Sequence, residues 1–129
     1  MKTIYERIYE KLELLVGDLT VIPGNQKSQV PGFMDLNLDQ LAADDGGTVI
    51  ALSHYYKHPS GDMIPDPDME IRIVPQRRRA EALTYQDAYV YQFVYSGAGA
   101  LMSPKLKRDL NAFLEQWLSN CLAQGHRLH

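Results

Sequence analysis

The stretch of residues 34–57, MDLNLDQLAADDGGTVIALSHYYK, decides the fold of this 129-residue chain. Apolar and polar residues alternate over 34–39, a period of two that predicts a strand with one buried and one solvated face. The Asp-Asp-Gly-Gly sequence at 44–47 tolerates positive φ and predicts a hairpin connection. Residues 48–57 then predict a second strand, and because both of its faces are fairly apolar we expect it to lie in the centre of a sheet.

Two more strands are predicted after this hairpin. Apolar residues alternate with charged ones over 69–73, which predicts a third strand that Pro75 closes. The run 82–95 predicts a long fourth strand, one face of which carries Tyr89, Tyr91, Phe93 and Tyr95. Because the connections between the strands are short, the four strands are expected to form an antiparallel meander.

A helix is predicted at each end of the chain. Thr3 begins a capping-box pattern ahead of an apolar stripe that ends at Gly17. Ser103 precedes a second, wider stripe that ends at Gly125. The sequence therefore predicts a single α+β domain over residues 1–129, in which a four-stranded antiparallel meander sheet is flanked by an N-terminal and a C-terminal helix packed on one face.

Composition bounds the class of protein. The chain is 45% hydrophobic and 22% charged, with a net charge of −3 and one cysteine. These values exclude a disordered chain and a disulfide framework within it. No apolar run approaches the roughly 20 residues of a membrane span, and the N-terminus lacks the continuous apolar region of a signal peptide. We therefore expect a cytoplasmic protein that does not associate with a membrane.

The charges are distributed unevenly along the sequence. Residues 35–70 carry a net charge of −7, whereas residues 71–108 carry +5. This pattern suits neutralisation within the chain or head-to-tail self-association, and the simpler interpretation is that the charges solvate opposite edges of a sheet. Together with more apolar strand surface than two helices obviously cover, the charge pattern favours a non-enzymatic binding module whose partner is another protein or a second copy of the chain, as in a homodimer.

A second hypothesis is single-stranded nucleic-acid binding. Arginine side chains bind phosphates bidentately, and exposed aromatic rings stack on unpaired bases. The candidate residues for nucleic-acid or partner binding are Arg77, Arg78, Arg79, Tyr89 and Tyr91. The net acidic charge disfavours a polyanion partner, and the alternative interpretation is a solvated arginine loop beside tyrosines that belong to the core.

A third hypothesis is a metal-dependent enzyme. Residue types that ligate metals cluster in the second strand and the segment after it, namely His54, His58, Asp62, Asp66 and Asp68. No established ligand spacing links them, and aspartates beside prolines are also ordinary turn residues. The hypothesis depends on whether folding brings these side chains together. The sequence itself assigns no metal ligand, no catalytic residue and no cofactor.

Other reactive residues are expected to be structural. Cys121 lies on the apolar face of the last predicted helix, where a thiol behaves as a small hydrophobe. The sequence contains no phosphate-binding loop and no dinucleotide fingerprint. Residues 25–29 are expected to form a mobile loop, and His126 and His129 to lie in a frayed tail.

Two segments carry a family resemblance. The sequence DPDMEIRI at 66–73 and the helical stretch at 110–125 resemble the YqiB-like family of uncharacterised bacterial proteins. The likeness covers residues 48–75 and 104–125 and consists mostly of core and capping positions. The resemblance implies a bacterial cytoplasmic protein of unassigned activity, and it supplies no catalytic or binding residue.

Overall fold

The computed structural model describes residues 1–129 and begins with helix α1, Ile4–Val16. Thr3 caps this helix: its hydroxyl oxygen accepts a hydrogen bond from Glu6 N, while the Glu6 carboxylate accepts one from Thr3 N. Gly17, at φ +94°, ends the helix. The predicted capping box and glycine stop are therefore confirmed.

Nine strands follow α1, and seven of them form one sheet. Their bounds are β1 Asn25–Ser28, β2 Leu36–Asp44, β3 Gly47–Lys57, β4 Met63–Val74, β5 Arg79–Ala82, β6 Thr84–Gln86, β7 Tyr91–Phe93, β8 Tyr95–Ser96 and β9 Leu101–Met102. The main sheet is antiparallel in the order β1-β2-β3-β4-β6-β7, with β5 also paired to β4, and β8 pairs with β9 separately. The α+β class is confirmed, and the sheet has more strands than the four predicted.

The β2–β3 hairpin has the turn that the sequence predicts. Asp44 Oδ1 accepts hydrogen bonds from Gly46 N and Gly47 N, each at 2.8 Å. At Gly47 the backbone passes so close to β4 that a Cβ atom would stand 2.4 Å from the carbonyl oxygen of Ile73. Because only glycine fits this approach, the end of the hairpin is fixed against the neighbouring strand.

The additional strands arise at the two ends of the sheet. Residues 25–28, expected in a mobile loop, form β1 and pair with β2. The long strand expected over 82–95 is broken, because β6 and β7 form a hairpin in which Asp87 Oδ1 accepts hydrogen bonds from Tyr89 N and Val90 N. An aspartate that satisfies two backbone donors locally favours a turn over a continuous strand.

Helix α2, Pro104–Gln124, packs against α1 and against β5. Ser103 caps its N-terminus by accepting a hydrogen bond from Leu106 N, as predicted. The Glu115 carboxylate of α2 accepts hydrogen bonds from Arg7 Nε at 2.8 Å and Lys11 Nζ at 3.0 Å on α1. These ion pairs fix how the two helices lie against each other.

The segment after α2 packs against the domain, which corrects the frayed tail expected for His126. Gly125 is in the left-handed conformation, and the next residue, His126, donates its backbone N–H to Cys121 O. The helix therefore ends in a Schellman-type cap. Leu128 N donates to Leu15 O of α1, and both His126 and Leu128 are buried. The tail is held by this cap together with the burial of two side chains.

The core lies between one face of the sheet and the two helices. It contains 22 buried apolar side chains, drawn from alternate positions of the strands and from one stripe of each helix. Leu38, Leu52 and Met69 are directly opposite one another in the register and share this face. Both helices therefore cover the same face, and the other face carries the intervening, mostly polar residues.

Candidate functional site

The histidines and aspartates singled out for a metal site do not converge. No group of three or more His, Cys, Asp or Glu side chains is placed to hold a metal ion. His54 points into the core, whereas Asp68 lies on the opposite face of the sheet. His58 and Asp62 are exposed in the turn between β3 and β4. Of these aspartates, only Asp66 lines the same surface cavity as His54, which is described below.

Both ring nitrogens of His54 have partners within the fold. Nδ1 lies 2.9 Å from the carbonyl oxygen of Asp35, and Nε2 lies 3.8 Å from Sγ of Cys121. Because a carbonyl oxygen only accepts, Nδ1 carries the proton and Nε2 accepts from the thiol. Burial raises the pKa of Cys121 to about 12. The thiol therefore stays protonated at neutral pH, and Cys121 is buried on the apolar face of α2, as its position in the predicted helix indicates.

His54 also lines a cavity of about 510 Å³ that opens between α2 and one end of the sheet. We call this cavity the aromatic groove. Its apolar wall is formed by five large side chains, Phe33, Met34, Tyr85, Phe113 and Trp117. Its polar wall is formed by His54, Asp66, Asn120 and Gln124. An apolar cavity with a few convergent polar groups is the usual form of a binding site.

Helix α2 supplies one wall of the aromatic groove. Phe113, Trp117, Asn120 and Gln124 follow one another at spacings of four, three and four, which places them on one stripe of the helix. The ring of Tyr85 stands edge-on to Phe113 with centroids 5.3 Å apart, and the Phe113 and Trp117 centroids are 6.3 Å apart. This continuous row of rings is an apolar surface that exists before any ligand binds.

The chain between β1 and β2 supplies the opposite wall. Phe33 N donates to Val30 O across a turn in which Gly32 has φ +87°. Because Gly at this turn position accepts positive φ without strain, the chain reverses and presents Phe33 and Met34 at the groove. Both side chains remain exposed, at 48% and 38%.

Trp117, at the base of the groove, carries an unpaired hydrogen-bond donor. Its side chain is 6% exposed, and its ring stands edge-on to His54 with centroids 5.5 Å apart. Nε1 is buried and has no hydrogen-bond partner. A buried N–H without an acceptor costs about 1–3 kcal/mol. The fold thus keeps one unsatisfied polar group next to an open apolar cavity.

The three consecutive arginines are separated by the backbone. A 3₁₀ turn precedes Arg78, which has φ +50°. Arg77 and Arg79 line a cavity of about 190 Å³. Arg78 instead turns to α1, where it donates to Glu13 at 2.7 Å and lies over the ring of Tyr9. The structure therefore brings Arg77 and Arg79 together and places Arg78 elsewhere.

Tyr89 and Tyr91 lie away from the arginines. Tyr89 is 93% exposed at the tip of the β6–β7 hairpin, and Tyr91 is exposed on β7 beside Phe93. The extended chain from Arg79 to Gln86, next to the hairpin turn, spans up to roughly 23 Å at about 3.3 Å per residue. The five candidate residues are thus divided among a cavity, the surface of α1 and a hairpin.

The aromatic groove was not predicted from the sequence. Phe113 and Trp117 fall within the predicted apolar stripe of α2, so their spacing alone does not distinguish a core position from a groove wall. Asn120 and Gln124, which continue the same stripe with polar residues, are the signal that this part of the stripe borders a cavity. Phe33 and Met34 join them only through the turn at Gly32.

The fold and the groove define a small α+β domain in which two helices cover one face of an antiparallel sheet and leave a cavity at its end. No helix is both long and apolar enough to cross a membrane. The chain belongs to the family described as a domain of unknown function (DUF6908), whose model matches residues 3–127. No curated protein and no solved structure matches the chain. The match agrees with the expected lack of an assigned activity, but nothing links the chain to a YqiB-like family.

Proposed function

We propose that the protein is a non-enzymatic binding module that holds a short segment of a partner protein in the aromatic groove. The observation that carries this proposal is the wall of the groove, where Phe33, Met34 and Phe113 stay between 38% and 48% exposed beside the buried Trp117. Large apolar side chains that cluster and remain exposed mark an interaction site. Buried aromatic anchors at the centre of such a site carry most of the binding energy.

The chemistry of the wall selects the occupant. Asp66 supplies a carboxylate, and no lysine or arginine lines the groove. Asn120 and Gln124 offer amide groups that suit the main chain of a peptide. The occupant that fits is therefore a peptide with an apolar or aromatic anchor residue flanked by lysine or arginine.

The unpaired donor of Trp117 gives such a peptide a further contact. Nε1 is inaccessible in the unoccupied fold, so the ring of Trp117 must turn before a main-chain carbonyl oxygen of the occupant can supply the acceptor that Nε1 lacks. Satisfying a buried donor recovers the cost of leaving it unpaired. This contact would add a hydrogen bond on the apolar side of the groove, opposite the polar wall.

The same geometry favours binding over acid–base catalysis. A general base needs a nitrogen or oxygen within reach of the substrate proton. His54 uses both of its ring nitrogens within the fold, toward Asp35 and Cys121. Its ring therefore contributes a wall of the groove.

The proposal is tested with a panel of synthetic peptides and the fluorescence of the protein. Trp117 is the single tryptophan, so its emission reports occupancy of the groove without a label. The probes are peptides with a central Leu or Phe and either Lys/Arg or Glu/Asp at the flanks. We expect saturable changes in emission with the basic set. Phe113→Ala should weaken binding about tenfold or more, because it removes an aromatic anchor.

Two variants make this experiment decisive. Tyr89→Ala removes an exposed aromatic ring outside the groove and should leave peptide binding unchanged. Asp66→Asn should weaken binding of the basic peptides and not of neutral ones, because it removes the carboxylate that selects them. The proposal is wrong if no peptide changes the emission of Trp117, or if Tyr89→Ala loses as much affinity as Phe113→Ala.

A second candidate function is self-association through the β6–β7 hairpin. Four consecutive or nearly consecutive large apolar side chains are exposed there, namely Tyr89, Val90, Tyr91 and Phe93. They adjoin the terminal strand of the sheet, β7, which has a partner on one side only. An apolar surface beside a free strand edge favours pairing with a second copy of the chain.

A further inference from the structure

The cavity of about 190 Å³ that contains Arg77 and Arg79 is separate from the aromatic groove and has the opposite character. Arg72 of β4 and Lys107 of α2 line it as well, so four cationic side chains from different elements face one small space. Tyr5 of α1 completes the wall. Such a concentration of positive charge creates a local potential that attracts an anion.

The cations of this cavity are poorly neutralised within the fold. Arg77 and Arg79 make no ion pair. Arg72 reaches the exposed Asp44 only at 3.4 Å. Lys107 reaches Glu81, the one carboxylate in the lining, at 3.4 Å. Guanidinium donors without a carboxylate partner are available to a ligand.

The ring of Tyr5 orients two of these cations. The guanidinium of Arg79 lies 4.8 Å from the centroid of the Tyr5 ring, and Lys107 Nζ lies 5.5 Å from it. Stacking on an aromatic ring holds a cation in place while its hydrogen-bond donors stay free. Lys107 is partly engaged, because Nζ donates to Tyr95 OH at 2.9 Å and that hydroxyl donates to Glu81 at 2.7 Å. Arg77 and Arg79 are the cations whose donors stay free.

The Glu6 carboxylate, the other acid close to Arg79, is also engaged. The pKa of Glu6 is lowered by its hydrogen bonds with Thr3 and, to a smaller extent, by Arg79. Because this carboxylate accepts from the backbone N of Thr3, it completes the capping box of α1, in which it keeps its negative charge. The four cations exceed the three nearby carboxylates, Asp44, Glu81 and Glu6, so one positive charge remains without a counter-charge.

We infer that this cavity is a binding site for the dianionic phosphate group of a small phosphomonoester. A phosphomonoester presents three acceptor oxygens and nearly two negative charges, which match forked guanidinium donors on several sides. The size of the cavity suits a phosphate group with a small part of the molecule that carries it. The site is independent of the peptide that we propose for the aromatic groove.

A small phosphomonoester fits this site better than a nucleic-acid strand. The protein is net acidic, and its basic residues do not extend into a track, because Arg78 faces α1 and pairs with Glu13. Tyr89 and Tyr91, which would stack on bases, lie on the distant hairpin. One confined cluster of cations binds one phosphate group, whereas a strand needs a series of them.

The inference is tested by calorimetric titration of the whole protein at constant ionic strength. The probes are inorganic phosphate, phenyl phosphate and an oligothymidylate without a terminal phosphate. We expect phosphate and phenyl phosphate to bind with one-to-one stoichiometry and the oligothymidylate not to bind. Arg77→Gln and Arg79→Gln should each weaken phenyl phosphate binding about tenfold or more, because each removes charge-assisted hydrogen bonds.

Arg78→Gln is the matched control, since it removes the same charge from the adjacent position but lies outside the cavity. It should change the affinity for phenyl phosphate less than about twofold. Circular dichroism of each variant checks that the fold is retained. The inference is overturned if neither phosphate probe binds, if Arg78→Gln loses as much affinity as Arg77→Gln, or if the oligothymidylate binds more tightly than phenyl phosphate.

Discussion

His126 has none of its surface exposed, although it follows the last turn of the final helix. Its Nδ1 lies 2.9 Å from Ser28 Oγ, which also accepts a hydrogen bond from Arg127 N. Its Nε2 is buried without a partner. Burial, and to a smaller extent the nearby His54, lower the pKa of His126. A single imidazole thus links β1 to the C-terminal segment, and its burial favours the neutral form, although Asp35 and the backbone of Met34 partly oppose this.

We predict that the free energy of unfolding decreases as the pH falls below about 6.5. The unfolded chain holds His126 at its ordinary pKa, 6.5, whereas the folded protein holds it lower. Between those two values the unfolded state binds a proton that the folded state does not, so acidification favours unfolding by up to about 1.4 kcal/mol for each unit of difference. Urea titrations at about pH 7.5 and about pH 5.5 measure this change.

His126→Gln should reduce the difference in the free energy of unfolding between about pH 7.5 and about pH 5.5, because the titrating group is gone. His58→Gln, which removes an exposed imidazole, should preserve it. The quantity to compare is the change in the free energy of unfolding with pH, since either substitution can alter stability at a single pH. An unchanged slope in His126→Gln would contradict the assignment.

The elements of the fold are joined by side chains that bond to the backbone of a neighbouring element. Asn111 of α2 is 1% exposed. Its Oδ1 accepts a hydrogen bond from Ala82 N at the end of β5 at 2.8 Å, and its Nδ2 donates to Lys107 O at 2.7 Å. This amide supplies the acceptor for a buried strand N–H and so fixes α2 on the sheet.

We predict that Asn111→Leu lowers the free energy of unfolding by about 1–3 kcal/mol, because it leaves the N–H of Ala82 buried without an acceptor. Asn120→Leu makes the same chemical change at an exposed position of the same helix and should stay within about 0.5 kcal/mol of the unmodified protein. Chemical denaturation measures both. Equal effects of the two substitutions would show that the contact with β5 contributes no more than a surface amide.

Elements set by local chemistry were predictable from the sequence. The β2–β3 turn depends on Asp44 and the two glycines after it, and α1 depends on the cap at Thr3. The pairing of β1 was not predictable, because its partner lies eight residues further along and its own residues are polar. The break at Asp87 was missed since the tyrosines around it have high strand propensity.

The candidate sites were less predictable from the sequence than the strands and helices, because they depend more on contacts between distant residues. The sequence identified the three arginines as candidate binding residues. It did not predict that the side chain of Arg78 faces away from those of Arg77 and Arg79, because this direction depends on the positive φ of Arg78. The aromatic groove draws on the chain before β2, three strands and α2. Only tertiary packing brings such distant residues together, so no local pattern contains it.

In the folded molecule, the acidic segment 35–70 and the basic segment 71–108 lie beside each other in the sheet. Asp44 of the acidic part pairs with Arg72 of the basic part, since β2 and β4 flank β3. The exposed apolar side chains of the β6–β7 hairpin lie at the far end of this sheet. Ion pairing within the chain therefore neutralises part of the uneven charge, and the exposed apolar hairpin lies apart from it.

We predict concentration-dependent self-association through the hairpin. In sedimentation experiments the mean mass should rise above 14.7 kDa as concentration increases over about a hundredfold range. Phe93→Lys should keep the protein monomeric, because it places a charge in the apolar contact. Val21→Lys, at another exposed apolar side chain, should associate like the unmodified protein. A constant mass of 14.7 kDa at every concentration would contradict this second candidate function.

The left-handed conformation of Arg78 has an evolutionary consequence. Three identical adjacent residues are under two different structural constraints, so they are not interchangeable as the family diverges. Loss of the arginine at 78 should accompany loss of its carboxylate partner at Glu13, whereas the arginines at 77 and 79 should be retained or lost together with Lys107. A deletion within the run would keep most of its charge yet shift β5 by one residue, exchanging the buried Ala80 for an outward-facing side chain.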